Sequence, residues 1–382
     1  MDKKLILFLA ASLFANANLY SNSPESIKAK RSEIVQQFKT AEKANYIFKP
    51  DYEKTLESVL VTFTGDDDAV IGVIKKLPAY SKITAFYQSS REWELGGKRF
   101  SAPFWDVNEV RRSLSPFLAK DIIEKIEFID ASPRDTVSEY TRDIGKGSRE
   151  CFFVPFTQYG HGDIYSRNNL FVDRLGGKAK VERHPAAITG GNIYLARNKS
   201  REKIVFVGKS LIDKTAEVYK SLDINYTTKD IEKLLKDSFK GDRAVIIDNN
   251  EYMFHIDQLF APLDDGLAAM LMTESAEYRE YFDKAKKILE KNGFDIIGLY
   301  TDKAHIEKYM SYANMEIYKN KVNGEKTILM PVFPDKNGIY ANEGLNRKNK
   351  EILEKSGFKV LTIHDRGYEG QGNTHCLINA LE

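Results

Sequence analysis

Cys376 stands in the closing stretch "QGNTHCLINALE" and is one of only two cysteines among 382 residues. A thiolate is a strong nucleophile and a good metal ligand, and it serves catalysis when a histidine and fixed polar groups lie beside it. Three other polar stretches offer such groups. "YTRDIGKG" places Asp143 just ahead of a glycine-flanked turn, and "AITGGNIYLA" carries Gly190, Gly191 and Asn192, whose glycines let backbone approach a ligand closely. "FHIDQLFAP" carries His255 and Asp257. If that segment runs as a strand, residues two apart share a face, so an acid or base and an anionic anchor point the same way. By the same rule His375 and Cys376 point to opposite faces of a final strand, so His255, not its neighbour, is the expected partner of the thiol.

Each stretch also has a plain structural reading. A cysteine near a chain end can be simple packing, and a histidine between apolar residues is commonly a satisfied core residue. Asp143 beside Arg142 suits a turn or an ion pair, and "TGGN" suits a hairpin. His255, Asp257 and Cys376 would also be plausible metal ligands, the rival to covalent chemistry. No metal or other cofactor is expected. The second cysteine, Cys151, opens the apolar run "CFFVPF" and is read as small buried packing.

Across the whole chain Lys and Arg number 57 against 55 for Asp and Glu, a balance without the basic footprint expected of a nucleic-acid partner. Two cysteines are too few for a disulfide scaffold or a Cys-rich zinc site. The first 21 residues, "MDKKLILFLAASLFANANLYS", combine two lysines, an apolar run too short to span a bilayer and an Ala-Asn-Ala cleavage pattern. They read as a signal peptide, which places the mature chain outside the cytoplasm, periplasmic or extracellular, with no membrane span. Residues 22–48 read as a helical lead-in and 49–382 as the folded body.

The elements that must position these residues alternate. Apolar, β-branched runs such as "SVLVTFTG", "KITAFYQ", "KIVFVG", "DIIGLY" and "KVLTIHD" predict strands, and amphipathic stretches such as "DDAVIGVIKKL", "VNEVRRSLSPFLAKDII" and "SAEYREYFDKAKKILEKNG" predict helices, an α/β pattern. "AKKILEKNGFDIIGLYTD" and "NKEILEKSGFKVLTIHD" share one cadence of helix, glycine, phenylalanine and strand, the mark of a repeated module.

In this order "TRD" with its glycine, "GGN", "HID", "YAN" at Tyr312 to Asn314, and the final "HC" resemble the guanidino-group-modifying enzymes, which include agmatine, arginine and peptidylarginine deiminases. The resemblance implies a pentein fold of five α/β modules around a pseudo-fivefold axis. It implies Cys376 as nucleophile, His255 as general acid and base, Asp143 and Asp257 as the carboxylates that grip the guanidinium, and Asn314 in support. Many small-molecule members carry an acidic residue before "GG", where this chain has Thr189; "TGGN" is similar to the secreted bacterial peptidylarginine deiminases. The implied substrate is thus peptide or protein arginine, with agmatine as the alternative small guanidino compound. A pentein scaffold that binds without catalysis is the reading from another class.

Overall fold

A computed structural model describes residues 24–43, 45–63, 68–95, 98–103, 105–131, 145–155, 180–249, 252–334, 344–366 and 373–381. The first 23 residues, with the expected signal peptide, and Asp143 lie outside the described residues. Five small sheets among those described repeat one pattern, in which a short strand pairs antiparallel with a second and the second pairs in parallel with a third. Four of them follow the chain: Lys146–Gly147, Cys151–Pro155 and Lys180–His184; Ile193–Arg197, Lys203–Gly208 and Arg243–Ile247; Phe260–Asp264, Leu267–Thr273 and Asp295–Thr301; Glu316–Lys319, Lys326–Val332 and Lys359–His364.

The remaining sheet joins the two ends. Ser58–Thr62 pairs in parallel with Lys82–Tyr87, which continues in parallel to Ile126–Asp130. Its antiparallel partner is Asn379–Ala380, so the last strand, three residues beyond Cys376, completes the first module and closes the ring. Antiparallel strands of neighbouring modules meet: Ile193–Arg197 touches Phe260–Asp264, and Asn379–Ala380 touches Lys146–Gly147. A single 3-10 turn, Asp51–Glu53, contacts the inner strands Ile193–Arg197, Phe260–Asp264 and Glu316–Lys319.

Helices lie across the outside and tie modules together. Ala276–Lys291 covers its own strands Leu267–Thr273 and Asp295–Thr301, Gly344–Lys355 spans Asp295–Thr301 and Lys359–His364, and Asp68–Lys76 crosses to Lys359–His364. Strands sandwiched in this way are buried on both faces, which is why "KIVFVG" reads as a continuous apolar run. The repeated cadence is a helix stop. Gly293 and Gly357 take φ values of 87° and 93°, and the following Phe294 and Phe358 amides reach back to Leu289 O and Leu353 O at 3.2 and 3.3 Å. This is the glycine-terminated geometry that satisfies a helix's last carbonyls while turning the chain into the sheet.

Three expectations change. The helix expected over 107–123 is two helices, Val107–Leu114 and Lys120–Lys125, because Pro116 has no N–H to carry the ladder onward. The strands Phe260–Asp264 and Leu267–Thr273 form a hairpin where no strand pair was expected, with Gly266 at φ 68°. Helix Pro24–Lys43 is no mere approach to the body, since Ile34, Phe38 and Ala41 are buried in one cluster with Cys151 and Phe153. No helix among the described residues is long and apolar enough to cross a membrane.

Candidate active site

The closing segment does not run as a strand through Cys376. Residues 373–377 form a tight turn, with Cys376 N donating to Asn373 O at 2.9 Å and Leu377 N to Thr374 O at 3.3 Å. Side chains from elsewhere pin it. Asn373 Oδ1 accepts from Ser311 N at 2.9 Å, and Thr374 Oγ1 donates to Asp365 Oδ2 at 2.8 Å. Asn314 holds the centre: its Oδ1 accepts from the amides of His375 and Cys376 at 3.0 and 3.3 Å, and its Nδ2 donates to Cys376 Sγ at 3.2 Å.

His255 and Asp257 do not share a strand either. His255 is extended, at φ −131° and ψ 153°, and leads into a 3-10 turn over Ile256–Gln258. That turn is fixed by Gln258 Oε1, which accepts from Phe254 N at 3.0 Å, and by Asn249 Nδ2, which donates to Phe254 O at 2.7 Å. The two side chains nevertheless converge. One ligand-capable atom from each of His255, Asp257 and Cys376 falls within 4.8 Å of the others, and Cys376 Sγ lies 3.6 Å from Asp257 Oδ2.

"TGGN" is not a hairpin but a 3-10 turn over Gly190–Asn192 that leads into strand Ile193–Arg197. A Cβ on Gly191 would stand 2.7 Å from His255 Nδ1 and 2.9 Å from Asp257 Oδ2, so only glycine lets this backbone lie against both side chains. Thr189 Oγ1 lies 3.4 Å from His255 Nε2 and accepts from Asn192 Nδ2 at 3.2 Å. Asn192 Oδ1 in turn accepts from Asn249 Nδ2 at 3.0 Å. Gly190, Gly191 and Asn192 are all buried, so this turn forms the wall behind the histidine.

Sequence reasoning missed His375. The opposite-face rule assumed a strand; in the turn, His375 Nδ1 lies 2.8 Å from Asp257 Oδ2, the same oxygen that faces the thiol, and Nε2 lies 3.5 Å from Glu316 Oε2. The "HC" pair therefore serves one carboxylate from two sides. Cys151 has the opposite setting: it is fully buried among apolar side chains, and burial pushes its thiol up, which keeps it protonated and unreactive.

The thiol, imidazole and carboxylate would each suit a metal ion as well as covalent catalysis, and the same three residues carry both readings. Comparison with solved structures bears on the scaffold. An agmatine deiminase of C. jejuni superposes with a TM-score of 0.60 at 16% identity, covering 88% of this chain and 98% of that one. An agmatine deiminase of Enterococcus faecalis gives 0.57 at 12% identity, covering 89% and 96%. This chain has the pentein fold. No protein-family model and no curated protein matches the sequence. The fold explains why residues so far apart in the chain meet: Gly191, His255, Asn314 and Cys376 come from separate modules, each at the edge of its inner strand.

Proposed function

We propose that the protein is a cysteine-dependent hydrolase of guanidinium groups. The convergence of Cys376, His255 and Asp257 in a buried pocket of groups, with an amide from Asn314 on the sulfur, is the observation that carries this reading. A guanidinium is planar, cationic and forked, so a fixed carboxylate such as Asp257 can accept two of its N–H bonds and hold its carbon toward sulfur. Asp143, assigned by resemblance in sequence, supplies the second carboxylate.

The thiol gives its proton to His255, and the thiolate forms a C–S bond to the guanidinium carbon. His255 protonates one departing nitrogen, the C–N bond breaks, and ammonia leaves a covalent thiouronium. The same imidazole then takes a proton from water, hydroxide adds to the carbon, and the C–S bond breaks to regenerate the thiol and release a ureido product. The net change is guanidinium plus water to ureido compound plus ammonium.

For the substrate we propose peptidyl-arginine, converted to peptidyl-citrulline. Thr189 supports this reading, because its neutral hydroxyl lies 3.4 Å from His255 Nε2 at the position where many small-molecule members carry an acidic residue. The leader supports it too, since an exported enzyme meets peptides and proteins. Agmatine is the second reading, favoured by the likeness to two agmatine deiminases.

The test is a colorimetric ureido assay on purified protein with peptidyl-arginine, free arginine and agmatine, beside Cys376→Ala. Turnover of peptidyl-arginine by the wild type alone is expected. Turnover of agmatine alone would overturn the substrate reading, and equal inactivity of wild type and variant on all three would leave a non-catalytic scaffold. Stoichiometric zinc in the purified protein would favour the metal reading instead.

A further inference from the structure

His375 is the first step of a buried line of alternating charge. Its Nδ1 is 2.8 Å from Asp257 Oδ2 and its Nε2 is 3.5 Å from Glu316 Oε2. Glu316 Oε1 lies 3.8 Å from Lys54 Nζ, and Lys54 and Lys146 both place Nζ 2.6 Å from Asp51 Oδ1. Every member is buried: Asp257 0%, His375 2%, Glu316 1%, Lys54 4%, Asp51 4% and Lys146 2% exposed. Three of the anchoring residues sit on inner elements of the ring, Asp51 in the central 3-10 turn, Lys146 and Glu316 on first strands. Asp51 is tied further to the inner strand Ile193–Arg197 through Leu195 N at 2.7 Å, and Lys146 through Ile193 O at 3.2 Å.

Buried charges persist only where they are compensated, and removing one member leaves its neighbour exposed to the full desolvation cost. Three carboxylates, Asp257, Glu316 and Asp51, alternate along this line with two lysines and one imidazole. Both ring nitrogens face carboxylate oxygens, Nδ1 at hydrogen-bond distance from Asp257 and Nε2 at a longer 3.5 Å from Glu316. The ring also packs against that of Tyr194, with centroids 5.3 Å apart, and Cys376 Sγ shares Asp257 Oδ2.

We propose that His375 is a positioning residue of this site, a ring braced between Asp257 and Glu316 that holds the Asp257 carboxylate aimed beside Cys376. The part played in guanidinium binding rests on the function proposed above; the bracing itself does not. In this arrangement the charge line anchors a substrate-gripping carboxylate to the centre of the ring, so that Asp257 need not rely on its own short turn for orientation. A carboxylate that must grip a planar cation bidentately gains from being fixed before the ligand arrives.

Two measurements on the full-length protein test it. In crystal structures of the protein, the Asp257 carboxylate is expected to turn away from Cys376 Sγ in His375→Gln and in Glu316→Gln relative to the wild type. An Asp257 side chain unmoved in both variants would overturn the proposal whatever the enzyme does. In steady-state kinetics with the guanidino substrate that the wild type turns over, Glu316→Gln and His375→Gln are expected to raise KM about tenfold or more while kcat falls by less. A loss of thermal stability with KM unchanged would mean that His375 is merely structural and would overturn the positioning role. Absence of wild-type turnover on every guanidino substrate would sink the functional reading, and the crystal structures would still decide the bracing.

Discussion

The two cysteines of this chain are both buried, and their surroundings make them opposites. Cys151 begins a strand and is buried in one apolar cluster with Phe153, Val205 and Phe239, and burial pushes its thiol up. Cys376 sits in a turn where an amide nitrogen, a carboxylate and a second histidine-bearing loop all aim at one small volume. Burial alone therefore says nothing about reactivity; what matters is whether the groups that surround a thiol can bear charge and hand over a proton. The comparison also separates stability from chemistry, because one region is held by apolar contact and the other by polar groups that cost free energy to assemble.

That contrast can be broken in several ways. Cys376→Ala is expected to lower ureido formation by roughly 10⁴-fold or more, while Cys151→Ala leaves turnover per folded molecule nearly unchanged; comparable losses in both variants would erase the distinction. Gly191→Ala pushes a methyl into His255 and Asp257 and is expected to cut kcat/KM by roughly 10²-fold with little change in melting temperature, as a displacement of about 1 Å in a catalytic group does. Near-normal activity would show that the glycine contact is dispensable.

Acid should strike the Cys151 region. His184, whose ring lies 5.2 Å from that of Phe153, is pushed by burial down to about 3 from an ordinary 6.5. Below pH 6.5 the unfolded chain takes up a proton there that the folded chain refuses until about pH 3, so this contribution to stability is complete above 6.5 and shrinks as pH falls through that window. Urea unfolding is expected to lose about 2 kcal/mol between pH 7 and pH 5 on this account, and a His184→Gln variant should show a flatter curve. Identical curves would remove His184 as the cause. The smallest effect is for Cys151→Ser, expected to cost about 1–2 kcal/mol by burying a hydroxyl among apolar side chains, with KM unaltered.

Much of this was legible in the sequence, and the failures share a cause. Residue types and order pointed to Cys376, His255, Asp257, Asn314 and the "GGN" segment, and the structure brings the first four and Gly191 together. The reasoning that linked them assumed strands, yet both "HID" and "THC" lie in turns, so face alternation did not apply and His375 was set aside. The "THC" turn is shaped by a distant side chain, Asn314, and the "HID" turn by Gln258 within it and Asn249 a few residues earlier, contacts that strand alternation does not register. The hairpin Phe260–Thr273 was equally hidden, since "LAAMLM" is rich in residues that favour helices and becomes strand only through its neighbours. The closing strand, Asn379–Ala380, is two residues long and has meaning only in the completed ring.

The central claim is that Cys376 carries the guanidino carbon during turnover. Acid quenching of the wild type during steady-state turnover, followed by proteolysis and mass spectrometry, measures this directly. The account predicts an increment equal to the substrate less ammonia on the C-terminal peptide that contains Cys376 and none on the peptide that contains Cys151. Ureido product formed while Cys376 stays unmodified, or with the increment on Cys151, would contradict it.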